Sequence, residues 1–333
     1  MSEITIVGMG LAGSCLAWQL WRRGVAFRII DNNEIGSSHV AAGLVQAVTG
    51  KNCTVSWRYK EFVAEAEPFY REIETILHDQ FWFPLEVLRL IFPHEEKRMI
   101  GKLFSGESLA WVKGELHDHA WPTAKAYILH GAARMDVPKF IRATRAFFDS
   151  HGLIDSTDHA IAKTSDITVW CGGAAGLLRQ QPIVWRQRCA KGEILTIRAH
   201  GWQQTRLVVG RGWMVPIGDD CYKVGATYDW DSVATGTTKE ARTYLEKLAT
   251  ELAAGDYEVI AHEAGIRPIV RKSQPVIGPL PDDPRQVVFN GLGSKGSLCA
   301  PTVSRQLAEW LISGAMIDED LSSLDYFAKL SNP

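Results

Sequence analysis

Apolar and polar residues recur with different periods along the chain, and these periods predict the order of its elements. Residues 4–7 form a short apolar run that is typical of a buried strand, and residues 11–23 repeat apolar side chains at the spacing of one helix face. A second apolar run, residues 25–30, ends at Asp31. A strand, a helix and a strand within about 30 residues predict a parallel β-α-β unit with a right-handed crossover.

The same two patterns return in the later part of the chain. Helical spacing recurs at residues 58–79, 137–150, 238–254 and 301–313. Apolar runs at residues 166–170 and 286–290 are each followed by glycines, as the first strand is. The two ends of the chain therefore both contain a strand that leads through a glycine-rich turn into a helix.

The segment after residue 190 has a different pattern. Four short strand-like runs follow one another at hairpin spacing, at residues 193–198, 206–209, 213–217 and 222–227. Gly218-Asp219-Asp220 is typical of a turn between the last two. We therefore expect an antiparallel sheet inserted between the segments that build the parallel one, in an α/β protein with interleaved domains.

Composition fits this organisation. With 333 residues the chain is long enough for two domains, and its 46% apolar and 22% charged residues exclude a disordered or low-complexity protein. No apolar run approaches the roughly 18 residues of a membrane-spanning helix, so we expect no membrane partner. The N-terminal residues lack the basic segment and cleavage site of a signal peptide, so we expect a cytoplasmic location.

Charge and cysteine spacing argue against two further classes. The net charge of −2 weighs against a nucleic-acid-binding protein, which is usually strongly basic. The six cysteines are scattered and form no CxxC pair, so we expect reduced core residues and no zinc site. His117-Asp118-His119 could supply metal ligands, but with no third ligand nearby we expect a surface loop and no metal.

The first glycine turn carries the pattern of a dinucleotide-binding site. Gly8, Gly10 and Gly13 form GxGxxG between a strand and a helix, and Asp31 follows Gly13 by 18 positions at the end of the next strand. These glycines allow the tight turn, the approach of the backbone to a pyrophosphate and the packing of the helix on the strand. Asp31 would bind a ribose 2′-hydroxyl, which argues against NADP. The pattern does not separate NAD from FAD, and the alternative is a glycine turn beside a surface Asp.

Several other segments, in the expected order over the whole chain, decide between the two cofactors by resemblance. They are Ser37–Leu44, Gly192-Glu193-Ile194-Leu195, Val215-Pro216, Val224-Gly225-Ala226-Thr227, Gly265-Ile266-Arg267-Pro268, Pro275-Val276-Ile277-Gly278 and the segment from Asn290 to Pro301. Together they resemble the D-amino-acid oxidase-like family of FAD-dependent amine oxidases. The resemblance implies a Rossmann-type FAD-binding domain with an inserted, mainly antiparallel-sheet substrate domain of α+β type. It places the discontinuous FAD-binding domain at residues 1–54, 134–180 and 264–333, and the substrate domain at residues 55–133 and 181–263.

Within that family, one subgroup is the most similar. Gly291–Gly296 with Ala300-Pro301, and Ala41–Leu44 with Thr49-Gly50, look most like the oxidase domain of the bifunctional enzyme that matures 5-methylaminomethyl-2-thiouridine in tRNA. Unlike in the subgroup, we expect no attached methyltransferase domain here. The sequence also has Gln46-Ala47 where relatives often have Asn-Pro.

The resemblance implies the cofactor, its ligands and its chemistry. A hydride moves from a carbon next to nitrogen to flavin N5, and the resulting imine is hydrolysed. Some relatives attach FAD through a histidine directly before Ala-Ala-Gly, but Val40 follows His39 here, so we expect non-covalent FAD. The expected FAD-binding residues are Gly8, Gly10, Leu11, Ala12, Gly13, Asp31, Asn32, Ser38, Ala42, Gly43, Leu44, Gly172, Gly173, Gly291, Gly293, Ser294, Lys295, Gly296 and Ser297.

Two cations are the candidate catalytic residues. In amino-acid-oxidising relatives the Arg of the GxRP motif grips the substrate carboxylate, which assigns that role to Arg267; the alternative is an arginine that bridges the domains. Lys223 aligns loosely with the lysine that promotes the oxygen reaction in monomeric sarcosine oxidase; the alternative is a solvated strand lysine.

Three functions remain open at this point. The first is FAD-dependent oxidation of the C–N bond of a small or tethered amine or amino acid. The second is the same chemistry on a carboxymethylaminomethyl-modified tRNA uridine. Against tRNA, neither Arg186/Arg188/Lys191 nor Arg267/Arg271/Lys272 is dense enough to establish an RNA-binding face. The third, of another class, is a non-catalytic flavin-binding protein.

Overall fold

The computed structural model describes residues 3–117, 120–155, 166–182, 185–253, 255–270 and 274–331. Its helices are α1 Leu11–Trp21, α2 Tyr59–Leu77, α3 Glu96–Leu103, α4 Val137–Ser150, α5 Gly173–Leu178, α6 Lys239–Leu252, α7 Gly296–Ser313 and α8 Ser323–Ser331. Its first nine strands are β1 Ile4–Val7, β2 Phe27–Ile30, β3 Leu44–Gln46, β4 Val48–Thr49, β5 Thr54–Val55, β6 Trp82–Ile91, β7 Val112–Leu116, β8 Lys125–Met135 and β9 Ile154–Asp155. The remaining strands are β10 Ile167–Trp170, β11 Ala190–Arg198, β12 Leu207–Val209, β13 Trp213–Gly218, β14 Cys221–Gly225, β15 Glu258–Arg267, β16 Val276–Pro279 and β17 Gln286–Asn290.

The first sheet contains the β-α-β unit that the sequence predicts. Over the described residues its strand order is β16-β17-β10-β1-β2-β9, parallel throughout except for the β16–β17 pair. All four residues of β1 are buried, since the strand has a neighbour on each side and helices over it. Leu16 and Leu20 of α1 are fully buried, and α1 packs against α7. The two predicted strand–glycine–helix segments therefore lie side by side.

The second sheet is the predicted antiparallel one, and it is larger than the sequence pattern indicates. Its order is β15-β11-β14-β13-β12-β6-β8-β3, with β7 also paired to β8. The described pairs are antiparallel except β12 with β6, which are parallel. Helix α6 covers one face, where Leu245 and Leu248 pack into a cluster with Leu195 and Val224. The mixed α/β fold class that we predicted is confirmed.

Some predicted boundaries shift. Helix α7 begins at Gly296 and not at Pro301, so the glycine-rich turn itself forms the first helical turn. Strand β3 pairs with β8 in the large sheet, although the division at residue 54 assigns it to the FAD-binding domain. The edge of a sheet presents unpaired N–H and C=O groups, with which an adjacent extended segment can pair. The division of the chain into two domains stays a prediction.

The remaining expectations concern cysteines, metals and membranes. All six cysteines are free, and five of them are buried. Of the HDH motif, His117 is described, whereas Asp118 and His119 lie outside the described residues. Within the described ranges, no group of three or more His, Cys, Asp or Glu side chains is placed to hold a metal ion. No helix in the described part of the chain is long and apolar enough to cross a membrane.

Candidate active site

A cleft between the two sheets collects residues from both ends and the middle of the chain. Its empty volume is about 1070 Å³, counting the part open to solvent. The lining comes from the first glycine turn, the 37–44 segment, the loop that precedes α7, and strands β11, β13 and β15. Among the described residues that line it, Arg267 is the sole Asp, Glu, Lys, Arg or His. A pocket this large with one fixed charge is typical of a site for an organic cofactor and substrate.

The N-terminus of α1 opens onto this cleft. Gly10 occupies the cap position without a side-chain cap, and no acidic residue lies in the first turn. Leu11 and Ala12 line the cleft, and the Leu11 N–H donates to Ser38 Oγ at 3.2 Å. The free N–H groups and the positive end of the helix dipole therefore favour an anion, such as a pyrophosphate, at this end of the cleft.

Gly13 shows why the turn requires glycine. A Cβ at this position would lie 2.0 Å from the carbonyl oxygen of Gly8, a backbone atom that has no room to move. Gly8 has a φ of +97°, and a Cβ there would lie 2.8 Å from the Cys171 carbonyl oxygen. Neither Gly13 nor Gly8 lines the cleft. Both lie behind its wall and allow the backbone conformation of the turn.

The N-terminus of α7 opens onto the same cleft. Helix α7 also lacks a side-chain cap and an acidic residue in its first turn, and Gly296 and Ser297 line the cleft. Gly293 and Ser294 precede it along the same wall, where the Gly293 N–H donates to the Pro268 carbonyl at 2.9 Å. Two positive helix ends thus face one largely uncharged cavity, an arrangement that suits a ligand with negative charge at two separate points.

The segment after β2 forms the side of the cleft between these helix ends. Ser38, Ala42 and Gly43 line it, together with Leu44 at the start of β3. Gly43 has a φ of +68°, and a Cβ there would lie 1.7 Å from the Met135 carbonyl oxygen. The segment therefore packs against the end of β8 so closely at Gly43 that only glycine fits at this position.

Asp31 lies at the end of β2, beside the glycine turn but outside the cleft lining. Its Oδ1 accepts the Met9 N–H at 2.9 Å, and its Oδ2 accepts the Asn33 N–H at 3.1 Å. Arg145 of α4 forms an ion pair with the same carboxylate. The carboxylate is thus fixed next to the turn, where the ribose of a bound dinucleotide would lie.

Arg267 ends β15 with its guanidinium against the cleft. Its Nη1 donates to the Lys191 carbonyl and its Nη2 to the Thr227 carbonyl, each at 3.2 Å, and the Tyr228 ring lies 4.3 Å away. Burial lowers the pKa of Arg267, and the neighbouring Tyr228 acts in the opposite direction. No acidic side chain of the described ranges pairs with it. The guanidinium stays charged in proteins and is free to accept a carboxylate from a ligand.

Lys223 lies in β14, outside the cleft lining. Its Nζ donates to the Val40 carbonyl at 3.1 Å and lies 3.5 Å from the Glu263 carboxylate, and the residue does not line the cleft. The alternative was a solvated strand lysine, but the side chain is 14% exposed and paired, so Lys223 is a largely buried strand lysine with structural contacts. A role for Lys223 in the oxygen reaction stays a prediction that this geometry does not support.

The expected FAD-binding residues divide into two groups. Those that the structure brings together on the cleft wall are Gly10, Leu11, Ala12, Ser38, Ala42, Gly43, Leu44, Gly173, Gly293, Ser294, Gly296 and Ser297. Those that lie behind or beside it are Gly8, Gly13, Asp31, Asn32, Gly172, Gly291 and Lys295. Lys295 points away to Ser56 Oγ, to which its Nζ donates at 3.2 Å, and burial lowers the pKa of its ammonium.

The sequence patterns missed part of the wall. Trp213, Ile194, Gly192, Gly265 and Asn290 all line the cleft, although none was assigned to the site. Four of them, Ile194, Gly192, Gly265 and Asn290, lie in or beside the motifs that carry the family resemblance. The sequence therefore held a usable signal for these four. Trp213 precedes its motif by two residues, and nothing local marks it.

Comparisons with known proteins decide the cofactor and the reaction class. The family model DAO, described as FAD dependent oxidoreductase, matches residues 3–310. The chain belongs to this family. It is therefore an FAD-dependent oxidoreductase, and the two helix ends and the glycine cradles fit the anionic dinucleotide that the family uses.

Individual relatives of this FAD-dependent oxidoreductase have low sequence identity to it but match nearly the whole chain. The bifunctional tRNA 5-methylaminomethyl-2-thiouridine biosynthesis protein MnmC of Marinobacter nauticus is 25% identical over 92% of the chain, and the chain spans 55% of its length. Glycine oxidase of Pseudomonas aeruginosa is 23% identical, with 94% of this chain and 96% of that protein covered. The crystal structure of glycine oxidase from Bacillus cereus superposes with a TM-score of 0.79 at 18% identity, covering 96% of this chain and 97% of the other. That structure shows the shared fold.

Different segments of the site would contact different parts of a bound FAD. The N-terminus of α1 and the segment from Ser38 to Leu44 would hold the phosphates, Asp31 the adenosine ribose, and the turn before α7 the flavin end. The flavin supplies the redox chemistry by accepting a hydride, so the protein needs no acid–base pair of its own. The cleft wall indeed offers no such pair among the described residues.

Proposed function

We propose that the protein oxidises the C–N bond of an amine or amino acid that carries a carboxylate, with non-covalently bound FAD as the oxidant. The observation that carries this proposal is Arg267, a half-buried cation on the cleft wall that lacks an acidic partner among the described residues. An unpaired charge in a largely apolar site is costly unless a ligand completes it. A planar carboxylate matches the guanidinium fork.

The proposed reaction balances in atoms and electrons. The C–H bond next to nitrogen breaks, its hydride passes to the flavin, and the nitrogen loses a proton, which leaves a C=N bond. Addition of water then gives a carbonyl compound and a free amine. Arg267 orients the substrate by its carboxylate. Hydride transfer requires the unprotonated amine, since the nitrogen lone pair forms the second bond of C=N, and the described lining holds no carboxylate that would stabilise an ammonium.

Non-covalent attachment has its own support. His39 Nδ1 lies 3.1 Å from the Gly36 nitrogen, and His39 does not line the cleft, although its neighbour Ser38 does. Cys171 lines the cleft, but burial raises the pKa of its thiol, which keeps it protonated and unreactive.

The decisive experiment measures flavin bleaching without oxygen. The purified protein should release FAD into the supernatant on acid denaturation. One or more compounds from glycine, sarcosine, proline, D-amino acids and modified nucleosides should then reduce the bound flavin anaerobically. If dithionite bleaches the flavin but none of these amines does, the proposal fails and the non-catalytic flavin-binding protein gains.

A second candidate is the same oxidation on a carboxymethylaminomethyl-modified uridine in tRNA. The similarity to MnmC over 92% of the chain favours it, and such a uridine carries both the carboxylate and the secondary amine. The matching assay compares tRNA carrying this uridine with the free nucleoside. Bleaching by the tRNA alone would favour this candidate over a small-molecule substrate.

A further inference from the structure

A loop beside the cleft joins the end of β14 to the start of α6. It covers residues 228–237, and its exposed side chains include Tyr228 and Trp230. The Arg267 guanidinium lies 4.3 Å from the centre of the Tyr228 ring, and the Arg188 guanidinium lies 4.6 Å from that of the Trp230 ring. The start of this loop therefore contacts the cation that the proposed function assigns to the substrate.

Both ends of the 228–237 loop are held by one residue, Glu193 of β11. At the first end, the Glu193 N–H donates to Thr227 Oγ1 at 2.8 Å, and the Thr227 N–H donates to the Glu193 carbonyl at 3.2 Å. At the second end, the Glu193 carboxylate accepts the Thr238 N–H at 2.9 Å and the Thr238 hydroxyl at 3.0 Å. Thr238 is also the N-cap of α6, where its Oγ1 accepts the Ala241 N–H. Glu193 thus fixes where the loop begins and where it ends.

The same backbone pairing supplies the two acceptors of Arg267. Its Nη1 donates to the Lys191 carbonyl and its Nη2 to the Thr227 carbonyl. Lys191 pairs with Asp229 of the loop through two backbone hydrogen bonds, of 2.8 and 2.9 Å. Both acceptors therefore belong to the short stretch in which β11 pairs with residues 227–229. The direction in which the guanidinium presents its remaining N–H groups depends on that stretch.

Glu193 acts from the opposite face of the sheet. Successive residues of a strand point to opposite faces, and a Cβ on Gly192 would lie 2.2 Å from Nη2 of Arg267 on the cleft face. Glu193 therefore points away from the cleft, where Lys191 Nζ lies 2.9 Å from its Oε1 and His262 Nε2 lies 2.8 Å from its Oε2. Because Glu193 does not line the cleft, any effect it has on a bound substrate passes through the backbone.

We propose that Glu193 is a positioning residue for substrate binding. Its carboxylate fixes the 228–237 loop, and the pairing of that loop with β11 holds the two carbonyl groups that orient Arg267. The inference rests on the proposed function, which gives Arg267 the substrate carboxylate. A guanidinium binds both oxygens of a carboxylate only when its plane is correctly oriented. Loosening its supports should therefore weaken binding of the carboxylate while the flavin stays bound.

Two variants remove the contact between Glu193 and the loop. Lys191→Met/Glu193→Met replaces the buried ion pair with apolar side chains of similar length, a change that buried sites commonly tolerate. It leaves Thr238 without its carboxylate acceptor. Thr238→Val breaks the contact from the loop side by removing the hydroxyl, and Thr238→Ser, which keeps the hydroxyl, is its matched control. If the double variant does not fold, Thr238→Val carries the test, since Thr238 is exposed.

The first measurement is binding without turnover. Propanoate has a carboxylate and no amine, and its affinity for the FAD-loaded protein is titrated from the change in the flavin absorbance spectrum. The double variant should bind propanoate at least about tenfold more weakly than wild type, and Thr238→Val about three- to tenfold more weakly, because the guanidinium loses the support of its hydrogen-bonded carbonyls. Thr238→Ser should match wild type. Propanamide, which has no charge, should bind all of these proteins equally.

A second control separates positioning from a general loss of stability. Leu252 is fully buried at the other end of α6, fourteen residues and about 21 Å along the helix from Thr238. Leu252→Ala should lower the melting temperature by leaving a cavity, and should bind propanoate as wild type does. Wild-type affinity in both the double variant and Thr238→Val, or a loss in Leu252→Ala as large as theirs, would overturn the proposal.

The Arg267→Ala background tests whether Glu193 acts through Arg267. There, Lys191→Met/Glu193→Met should weaken propanoate binding no further, because both changes affect one contact. The same fold loss in both backgrounds would overturn the proposal, since Glu193 would then act by another route.

A turnover measurement distinguishes this inference from the proposed function. With an amine that bleaches the flavin, the double variant should raise the half-saturating concentration about tenfold and keep the limiting rate of flavin reduction within about twofold of wild type. A smaller reducible fraction with an unchanged half-saturating concentration would mean a merely structural role; the inference would fail and the proposed function would stand. If the double variant and Arg267→Ala weaken propanoate binding but no amine bleaches the flavin, the proposed function fails and the positioning of Arg267 stands.

Discussion

The two faces of strand β11 differ in whether the charged side chains beside them have partners of opposite charge. On the face away from the cleft, Lys191 Nζ lies 2.9 Å from Glu193 Oε1, and both side chains are 3% exposed. Glu193 also accepts hydrogen bonds from the Thr238 N–H at 2.9 Å and the Thr238 hydroxyl at 3.0 Å. On the cleft face, Gly192 leaves room for Arg267, which contacts two carbonyl oxygens and a tyrosine ring and, within the described ranges, no acidic side chain.

This difference separates a charge that is paired within the protein from one that, in the proposed function, pairs with the substrate. Burying an ion pair is tolerable when the charges pair closely and further hydrogen bonds satisfy them, as Lys191 and Thr238 do for Glu193. Arg267 has no acidic partner among the described residues, and the proposed function assigns the anion that would pair with it to the substrate. Lys223, which also faces the cleft side of the sheet, resembles the first case because Glu263 already pairs with it.

The largest effect is expected for Lys191→Met. It removes the lysine partner of the buried Glu193 and leaves His262, whose Nε2 lies 2.8 Å from Oε2, beside the carboxylate. The change should lower the free energy of unfolding by about 3–5 kcal/mol in urea titrations at neutral pH. Burial raises the pKa of Glu193, but hydrogen bonds from Thr238 and Lys191 outweigh it and lower the pKa below its ordinary value. The wild-type contribution is therefore present above the ordinary pKa of glutamate and disappears as the pH falls below it. The double variant Lys191→Met/Glu193→Gln should recover much of the loss, and a single variant as stable as wild type would show that the pair is not structural.

The next effect is expected for Arg267→Ala, and it should be on binding. Truncation should weaken substrate binding by about 2–5 kcal/mol, roughly 30-fold to several thousandfold. FAD content and melting temperature should stay near wild type, because the glycine turns hold the cofactor. Arg267→Lys should recover part of the loss, since an ammonium cannot grip both carboxylate oxygens. Flavin reduction rates against substrate concentration, together with thermal unfolding, measure both properties. A destabilised Ala variant with an unchanged half-saturating concentration would identify Arg267 as a domain bridge.

Asp31 tests whether a charged side chain that is already paired within the protein has only a structural role. It pairs with Arg145 and accepts two backbone N–H groups, yet we expect it to bind the adenosine ribose as well. Asp31→Ala should weaken FAD retention by about 1.5–3 kcal/mol without unfolding the protein. Equilibrium dialysis of FAD and circular dichroism check the two parts. Unchanged FAD affinity would remove Asp31 from the cofactor site and leave it with a structural role alone.

The smallest effect is expected for Lys223→Met. An ion pair at 3.5 Å with a partly exposed carboxylate contributes about 0–1 kcal/mol to stability, so unfolding should change little. Stopped-flow mixing of the reduced enzyme with oxygen should give a wild-type rate. A large drop in that rate, with stability unchanged, would restore the oxygen-activating role and show that pairing does not exclude catalysis.

The sequence predicted the cofactor half of the molecule well because its signals are local. Strand β1, helix α4 and strand β17 have the predicted bounds. The glycine turns need particular residues within a few positions, so their spacing alone predicts a turn that opens a helix. The start of α7 was wrong by five residues because Pro301 is tolerated within the helix, where Gly296 already begins it.

The sequence by itself determined the order of the elements, the two glycine turns and the family resemblance, all of which depend on neighbours along the chain. The tertiary structure alone decided which side chains share the cleft. Arg267 meets Gly192 across 75 positions, and Trp213 meets Gly225 only through the register of β13 with β14. A shift of one residue in either register would turn these side chains to the other face of the sheet. Register follows from the packing of the whole sheet, so no local pattern could separate the open Arg267 from the paired Lys223.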